Sequence, residues 1–479
     1  MITFLICLAA LITAYFTYGK YLERLAGADN ANATPCKRLA DGVDYIEMPR
    51  WRVFLIQLLN IAGTGPIFGA ILGACFGPVA FLWITLGGIF FGAMHDYLSG
   101  MMIVRNDGRS LPEVVGTYLG RPMRSLIRWF SVLLMILVGA VFMTSPAELL
   151  GNLVEAVPVW AWVVVILVYY IIATILPVDK VIGKCYPVFG AALILMALGL
   201  LGVILFESYT VPELTDLHNY HHNAEAFPIV PTLFITIACG AISGFHATQS
   251  PMMARCVGNE RQCRSVFYGS MISESVIALI WAAIAMAFFG GADLLGTALE
   301  GHRNNPAWAV DVISHTTLGR IGSVLAILGV VAAPITSGDT AFRSARLIIS
   351  DMFGYDQKPL LNRLLVCIPL FVIGYGLTLI DFGIIWRYFA WSNQALAMVT
   401  LWAIYVWLVR RRANYWVALI PAVAMTYIIF TYVFISNQFL GLASHTLCYS
   451  LGGLVTAAVT ALMVINYHKS DSTAPEKRR

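Results

Sequence analysis

The sequence predicts an all-α, polytopic membrane protein with about thirteen transmembrane helices, and three observations lead to this fold class. Hydrophobic residues make up 59% and charged residues only 12% of the 479 residues, whereas a typical soluble domain has about 25% charged residues. Apolar runs of membrane-spanning length recur along the whole chain. Lysine and arginine residues concentrate in alternate connecting loops. So few charges cannot keep a folded surface hydrated, which excludes the water-soluble classes.

The apolar runs have the length of a membrane span. A helix rises about 1.5 Å per residue, so roughly 20 residues cross a hydrocarbon core of about 30 Å. The first run has no basic segment before it and no evident cleavage site after it, and we expect a retained helix rather than a signal peptide. The thirteen runs are residues 1–18, 52–75, 77–103, 124–146, 158–178, 185–206, 229–250, 266–289, 319–340, 362–379, 382–409, 413–435 and 445–467.

The connecting loops give an independent test of these spans. The first loop holds six basic residues between Lys20 and Arg52, and the second loop, at 76–78, holds none. The alternation continues to the eleventh loop, which is Arg410–Arg412, and the twelfth, which again has none. The positive-inside rule then predicts an N-terminus outside the cell and a C-terminus in the cytoplasm. We expect a multi-pass protein of the cytoplasmic (inner) membrane, embedded in the lipid bilayer.

Two of the runs contain residues that interrupt a helix. In the segment 60–69 two glycines precede Pro66, which lacks a backbone donor and disfavours helical geometry at the residue before it. The run 229–250 has a comparable weak segment at Cys239–His246, and Pro251 predicts a second interruption just beyond it. An unwound segment at membrane depth is tolerated only where it is buried in protein or lines a cavity. Both segments are therefore candidates for a transport site.

The two interrupted runs lie five spans apart, and the loop charges give them opposite directions across the membrane. This arrangement is typical of an inverted repeat, and it predicts a LeuT-like 5+5 fold. The competing interpretation is that glycine and proline only allow close packing between membrane helices. The predicted parts are an N-terminal peripheral helix and cytoplasmic loop at 1–50, a first five-helix repeat at 51–206, a second at 229–409, and two extra helices with a cytoplasmic tail at 413–479.

Three strings in the sequence carry a resemblance to a known family. They are Gly63–Ala70 (GTGPIFGA), Gly92–Tyr97 (GAMHDY) and Pro334–Arg343 (PITSGDTAFR). On these strings the chain is identified as a member of the carbon-starvation (CstA) family, and the likeness extends over most of its length. It resembles a short member, without the extra C-terminal helices of the longer ones.

The resemblance implies a transporter of the amino acid–polyamine–cation group, which would take up peptides during the stress response to carbon starvation. Some relatives carry pyruvate with protons, so a pyruvate/proton symporter, or one for another small monocarboxylate, is the alternative. Either way, the expected partner is a small molecule that bears a carboxylate. Nothing in the sequence indicates nucleic acid as a partner, and protein partners are not predicted.

Donors for a carboxylate are expected at the two interruptions. The N–H groups at the start of a helix are free and its dipole is positive there, so Ile67, Phe68 and Gly69 should face a ligand. The carbonyls of Ala62 and Gly63 face the other way and are candidates for holding a cation. The candidate substrate-binding residues are Gly63, Thr64, Gly65, Pro66, Ile67, Phe68, Gly240, Ser243, Gly244 and His246.

A coupling site is expected where the ninth helix is predicted to loosen, between Pro334 and Gly338. Hydroxyl and carboxylate oxygens in this stretch suit a hard cation or a proton. The alternative is that Asp339 only pairs with Arg343, one helical turn later. The candidate residues for ion or proton coupling are Ala62, Thr336, Ser337 and Asp339.

Ionisable side chains inside other spans are functional candidates because burying them is expensive. His95 and Asp96 lie toward the cytoplasmic end of the third run, where they could instead reach interfacial water. His246 follows the second interruption, and Glu274 lies inside the eighth run. These titratable groups favour H⁺ over Na⁺ as the coupling ion. The three residues His95, Asp96 and His246 are also candidate ligands for a transition metal, with no other cofactor expected.

Three other classes of function compete with a carrier. A channel requires a continuous ring of pore-lining groups, and nothing in the sequence repeats in that way. A metal-dependent intramembrane enzyme would use the histidines and Asp96, but the HExxH motif is absent from the sequence. A starvation sensor would need a signalling domain outside the membrane, and the sequence offers none. We therefore expect a transporter rather than an enzyme.

Overall fold

Of the 479-residue chain, the computed structural model describes residues 1–41, 45–154, 156–175, 178–207, 209–302, 304–355 and 359–468. Within these ranges the regular elements are all helices, and there is no strand. Nine of the described helices are long and apolar enough to cross a membrane, and a bent pair makes a tenth. The predicted all-α membrane class is therefore confirmed, whereas the number of thirteen spans is not.

The first half of the chain forms eleven α-helices. A π-helical segment, Trp83–Ala93, joins α6 to α7 without a break. The helices are α1 (Ile2–Phe16), α2 (Tyr18–Leu25), α3 (Pro35–Arg38), α4 (Arg50–Ile61), α5 (Gly65–Ala74), α6 (Val79–Leu82), α7 (Met94–Arg105), α8 (Leu111–Leu119), α9 (Arg121–Leu153), α10 (Val159–Ile175) and α11 (Val178–Phe206).

The second half of the chain forms ten more. Short π-helical segments precede α12, α14 and α17. The helices are α12 (Phe234–Thr236), α13 (Gly244–Ala254), α14 (Gly269–Phe289), α15 (Ala292–Gly301), α16 (Pro306–Ala326), α17 (Ala332–Phe353), α18 (Leu360–Leu377), α19 (Phe382–Arg410), α20 (Trp416–Ile435) and α21 (His445–His468).

Two predicted spans are divided into short pieces in the structure. The run 229–250 contains a π-helical turn, the three-residue α12, a non-helical stretch and then α13. The run 319–340 falls across the end of α16, which is kinked at Gly319, a π-helical turn at Ile327–Val331, and the start of α17. The apolar composition of a run predicts that it is buried in lipid or protein, but it does not predict whether its backbone is continuous.

Two prolines that were predicted to interrupt helices do not do so. Helix α13 continues through Pro251, and the Ser250 hydroxyl donates to the His246 carbonyl at 2.9 Å. Pro334 is the third residue of α17, which follows directly on the π-helical turn Ile327–Val331. Helix α17 is therefore unbroken through Gly338, and the loosening lies earlier, in the π-helical turn before it.

Contacts between loops group the basic loops at one end of the helices. Arg105 lies 3.0 Å from Glu260, which joins the third loop to the seventh. At the opposite end of the helices, where α1 begins, the ammonium group of Met1 pairs with Glu213 in the sixth loop, which has no basic residue. Further contacts among the basic loops are Arg38 with Asp107 at 3.0 Å and Arg411 with the Ala26 carbonyl at 3.4 Å. These contacts place the first, third, seventh and eleventh loops at the end of the helices opposite Met1.

The long helices differ in how much of their surface the protein covers. Helices α9, α14 and α19 are largely buried inside the molecule, whereas α18 and α21 expose most of their apolar side chains. Exposed leucine and isoleucine side chains on the outer helices suit contact with lipid tails. The buried helices surround the two interrupted spans, so the interruptions lie in the interior of the protein.

Candidate functional site

The two interrupted spans cross each other at their breaks. Helices α4 and α5 are bent by 49° at the first break, and α12 and α13 flank the second. A Cβ added at Gly65 would lie 2.5 Å from the Cys239 Cβ, and one added at Gly240 would lie 4.0 Å from the Pro66 Cα. The backbones approach this closely because glycine has no side chain. The structure thus brings together two segments that the sequence singled out separately.

The first break has fewer free donors than predicted. The N–H groups of Ile67 and Phe68 both donate to the Thr64 carbonyl, at 3.2 and 2.8 Å. These two donors are therefore not free for a ligand, because α5 begins at Gly65 with Thr64 as its N-cap residue and its first turn closes on the Thr64 carbonyl. The Thr64 hydroxyl accepts a hydrogen bond from Ser145 on α9 at 3.4 Å, and a side chain at Gly63 would meet Phe142 of the same helix.

At the second break, a side chain from α19 caps the start of α13. The side-chain amide oxygen of Asn393, Oδ1, accepts hydrogen bonds from the Phe245 N–H at 2.7 Å and from the Ser243 hydroxyl at 3.0 Å. Gly244 packs directly on the backbone of α19 beside Asn393. Sequence reasoning missed Asn393, although a signal was present. Three consecutive polar residues, Ser392–Gln394, interrupt an otherwise apolar span.

A chain of ionisable groups links three helices beside the crossing. The Asp96 carboxylate lies between two imidazoles, with Oδ1 2.8 Å from His95 Nδ1 and Oδ2 2.8 Å from His246 Nδ1. The other ring nitrogen of His246, Nε2, lies 3.3 Å from Glu274 Oε2 on α14. All four side chains are fully buried. We call these four residues the histidine–carboxylate cluster.

The structure brings the three predicted metal ligands together, but as hydrogen-bond partners of one another. His95, Asp96 and His246 are in contact, but both oxygens of Asp96 are already used by the two histidines. A different set of atoms converges on one point. Cys239, His246 and Glu274 each offer one atom, and these atoms lie within 4.8 Å of one another. His95 and Asp96 on α7 are both fully buried, so their side chains do not reach solvent.

The predicted coupling residues lie on α17 and touch the first interrupted span. The Ser337 hydroxyl donates to the Leu59 carbonyl at 3.0 Å, about one turn before Ala62. The Thr336 hydroxyl donates to the Ala333 carbonyl at 2.7 Å within its own helix. Ser337 is therefore the member of this group that joins α17 to α4.

Asp339 is buried and has one charged neighbour that the structure records at close range. Its Oδ2 lies 3.6 Å from a guanidinium nitrogen of Arg343, and its side chain is 1% exposed. Neither carboxylate oxygen has a hydrogen-bond partner among the described residues. Arg343 also donates to the Ala173 carbonyl at 3.0 Å, which draws the guanidinium toward α10. Both predicted roles of Asp339 are compatible with this geometry.

Two buried amides just before the first break were not singled out from the sequence. Gln57 and Asn60 on α4 are fully buried, and neither the oxygen nor the nitrogen of either amide has a hydrogen-bond partner in the part of the chain that the structure describes. Buried polar groups are nearly always hydrogen-bonded, so unpartnered ones require an explanation. The signal in the sequence was the presence of two amide side chains in an otherwise apolar run.

Comparisons with known proteins agree on one family. A sequence profile described as carbon starvation protein CstA matches residues 1–159, 146–294 and 306–432. An uncharacterized membrane protein of Haemophilus influenzae is 41% identical, over 63% of this chain and 94% of that protein. A peptide transporter CstA of Escherichia coli is 27% identical, over 86% of this chain and 77% of its own. The pyruvate/proton symporter BtsT of Escherichia coli is 24% identical, over 56% and 46%.

One solved structure shares the arrangement of helices over nearly the whole molecule. A mutant of the manganese transporter of Eremococcus coleocola superposes with a TM-score of 0.51 at 14% sequence identity, covering 90% of this chain and 99% of that chain. At this identity the likeness shows the fold alone.

Proposed function

The chain belongs to the carbon starvation protein CstA family, and we propose that it is a secondary active transporter that takes up peptides across the cytoplasmic membrane during carbon starvation. The crossing of two interrupted spans supports this proposal, because transporters of several folds bind their substrates at such breaks. The relatives named as peptide transporters support it as well.

We propose a peptide as the substrate because α4 holds two buried amide side chains without hydrogen-bond partners among the described residues. Each of Gln57 and Asn60 has a free donor and a free acceptor. A peptide group also carries one donor and one acceptor, so an amide side chain can satisfy both at once. Pyruvate has acceptors only and would leave the Gln57 and Asn60 oxygens unpaired. An unpaired buried polar group costs about 1–3 kcal/mol, which favours the peptide.

The proposed substrate site follows the crossing. On the first interrupted span it comprises the segment Gly63–Phe68, with Gln57 and Asn60 added from the structure. On the second it comprises Gly240, Ser243, Gly244 and His246. Because Ile67 and Phe68 donate to Thr64, the substrate carboxylate would be bound by the dipole of α5 and by side chains, rather than by those two N–H groups.

The proposed coupling ion is H⁺, with Na⁺ as the alternative, and the proposed site is formed by Ala62, Thr336, Ser337 and Asp339. A buried carboxylate without hydrogen bonds can bind and release a proton as its surroundings change. Contact of Ser337 with α4 would transmit that change to the first break. Binding of an ion at such a site would favour one arrangement of the two spans, which is how an ion gradient drives uptake.

We also propose the arrangement in the membrane. The grouped basic loops would face the cytoplasm, with the N-terminus outside and the C-terminus inside. The segments 51–206 and 229–409 would be the two halves of a LeuT-like inverted repeat, with 1–50 and 413–479 added at its periphery.

Two other functions remain as outcomes of the test. A pyruvate/proton symporter is favoured by the relative BtsT. A metal-dependent intramembrane enzyme is the alternative of another class, and the grouping of Cys239, His246 and Glu274 favours it.

Counterflow in proteoliposomes tests the proposal. Vesicles loaded with unlabelled dipeptide should take up labelled dipeptide from outside, because a carrier exchanges substrate across the membrane. Asn60→Ala should reduce this exchange at least tenfold, which corresponds to about 1.4 kcal/mol of lost binding. Asn30→Ala, which removes an exposed amide, is the matched control and should exchange as the wild type does. Exchange of pyruvate but not dipeptide would establish the alternative substrate, and consumption of substrate without exchange would indicate an enzyme.

A further inference from the structure

Three side chains of different chemical types converge beside the second break. A thiol from Cys239, an imidazole from His246 and a carboxylate from Glu274 present ligand atoms within 4.8 Å of one another. All three side chains are buried, with Cys239 2% exposed and the other two fully enclosed. Nitrogen, sulfur and oxygen atoms in such a group are the ligands that zinc uses in proteins.

Two members of this group present ligand atoms that have no hydrogen bond. The Nε2 of His246 and both oxygens of Glu274 have no hydrogen-bond partner within the described ranges, and the 3.3 Å contact between them lacks hydrogen-bond geometry. A buried carboxylate without partners is costly, because water no longer solvates its charge. A cation bound between these atoms would satisfy all of them at once.

The surroundings prepare the imidazole and the thiol for a metal. Asp96 Oδ2 lies 2.8 Å from the Nδ1 of His246, so Asp96 can accept a hydrogen bond from Nδ1 while Nε2, which faces Glu274, binds a metal. Metal-binding histidines are typically held in this way by a carboxylate. The side-chain N–H group of Asn393 donates to the Cys239 sulfur at 3.5 Å, and the thiol in turn donates to the Ser243 hydroxyl at 3.9 Å, so polar groups hold the sulfur in position.

We propose that Cys239, His246 and Glu274 bind a divalent transition-metal cation of the zinc type. In a tetrahedral zinc site the ligand atoms lie about 3.3 to 3.8 Å apart, so small movements of these side chains would close the site. The position left by three protein ligands would stay open to water or another small ligand. The bound cation would join α13 and α14 at the point where the second break meets the first. This inference does not depend on what the protein transports.

Metal content of the purified full-length protein tests the site. After incubation with Zn²⁺ and removal of unbound metal, the wild type should retain roughly one equivalent per chain, measured by mass spectrometry of the element. Cys239→Ser and Glu274→Gln should each weaken zinc affinity by roughly 100-fold or more, since even the loss of an outer partner weakens binding about 10- to 100-fold. Cys75→Ser, a buried cysteine at the end of α5, is the matched control and should bind as the wild type does.

Cobalt gives a second readout that does not depend on any variant. Co²⁺ bound to the wild type should show the ultraviolet charge-transfer band of a cobalt–thiolate bond, and this band should be lost in Cys239→Ser but kept in Cys75→Ser. Size-exclusion elution and the melting temperature show whether each variant is folded. A wild type that retains no zinc would overturn the proposal. So would a wild-type cobalt complex without the thiolate band, or folded variants that retain zinc as tightly as the wild type.

Discussion

Gly65 packs directly on Cys239, and this contact joins the breaks of two interrupted spans that lie more than 170 residues apart in sequence. Because the first break presses against the thiol, a change in either segment must be accommodated by the other. The contact therefore couples the two parts of the proposed substrate site, one on each interrupted span.

The first prediction concerns this contact. Gly65→Ala adds a Cβ that overlaps the Cys239 side chain, and overpacking of this kind typically costs about 1–3 kcal/mol. We expect a lower melting temperature in detergent and weaker dipeptide exchange. The double variant Gly65→Ala/Cys239→Gly removes the overlap and should recover most of the melting temperature.

The matched control is Gly453→Ala, because an added Cβ there meets nothing within 4 Å. If Gly65→Ala melts at the same temperature as Gly453→Ala, the two breaks do not pack as described.

The second prediction concerns Asp96, which holds His246 through Nδ1. Asp96→Asn replaces the carboxylate by a neutral amide with a single acceptor oxygen for two histidines, so the hydrogen bond that orients the ring of His246 is weakened. We expect zinc affinity to fall roughly 10-fold or more while Cys239 and Glu274 remain in place. Competition with a zinc-binding dye measures the affinity, and Ser99→Ala on the same helix is the control. Unchanged affinity in a folded Asp96→Asn protein would show that Asp96 does not position the ligand.

The third prediction concerns the orientation in the membrane. In a cysteine-free background, a cysteine at Asn223, which is exposed in the sixth loop, should react with an impermeant thiol reagent in intact cells. A cysteine at Asn414, which is exposed in the turn between α19 and α20, should react only after the membrane is opened. The reverse pattern would invert the orientation that the basic loops predict.

The fourth prediction concerns coupling at Asp339. Asp339→Asn keeps the size of the side chain but removes its charge, so substrate should no longer be concentrated against its gradient, and the accumulation ratio should fall at least tenfold, about 1.4 kcal/mol of lost driving force. Counterflow exchange should persist, because it needs no ion gradient. Asp216→Asn, in an exposed loop, is the control.

The same experiment separates the two roles of Asp339 and the two ions. Accumulation by Asp339→Asn equal to that of the wild type would leave Asp339 as a structural partner of Arg343 alone. With H⁺ as the coupling ion, wild-type uptake should acidify the vesicle interior, whereas with Na⁺ it should follow a sodium gradient at constant pH.

Much of the architecture could be predicted from the sequence. The apolar runs and the alternating basic loops determined the all-α membrane class, because burial in lipid and the charge of loops depend on local composition. Proline and glycine near Pro66 and Gly240 located both breaks for the same reason: the effect of these residues on the backbone is local. The resemblance to the carbon-starvation family, based on three short strings, is confirmed.

Continuity of the backbone was harder to predict. Pro334 and Pro251 are similar in sequence to Pro66, yet α17 and α13 continue through them. Pro66 is the second residue of α5, where no helical hydrogen bond is lost, whereas Pro251 is the eighth residue of α13, which continues without one. The local sequence pattern does not show which of these positions a proline takes.

The tertiary structure alone decided which side chains meet. From the sequence, Asp96, His246 and Glu274 were separate ionisable groups, and nothing fixed the distances between their helices. Asn393 was missed although it lies among three consecutive polar residues, and Cys239 was noted only as the start of a weak segment, because neither pattern shows which side chain the residue will meet. The crossing of the two breaks brings these residues together, and contacts between helices depend on packing over the whole molecule rather than on any local stretch of sequence.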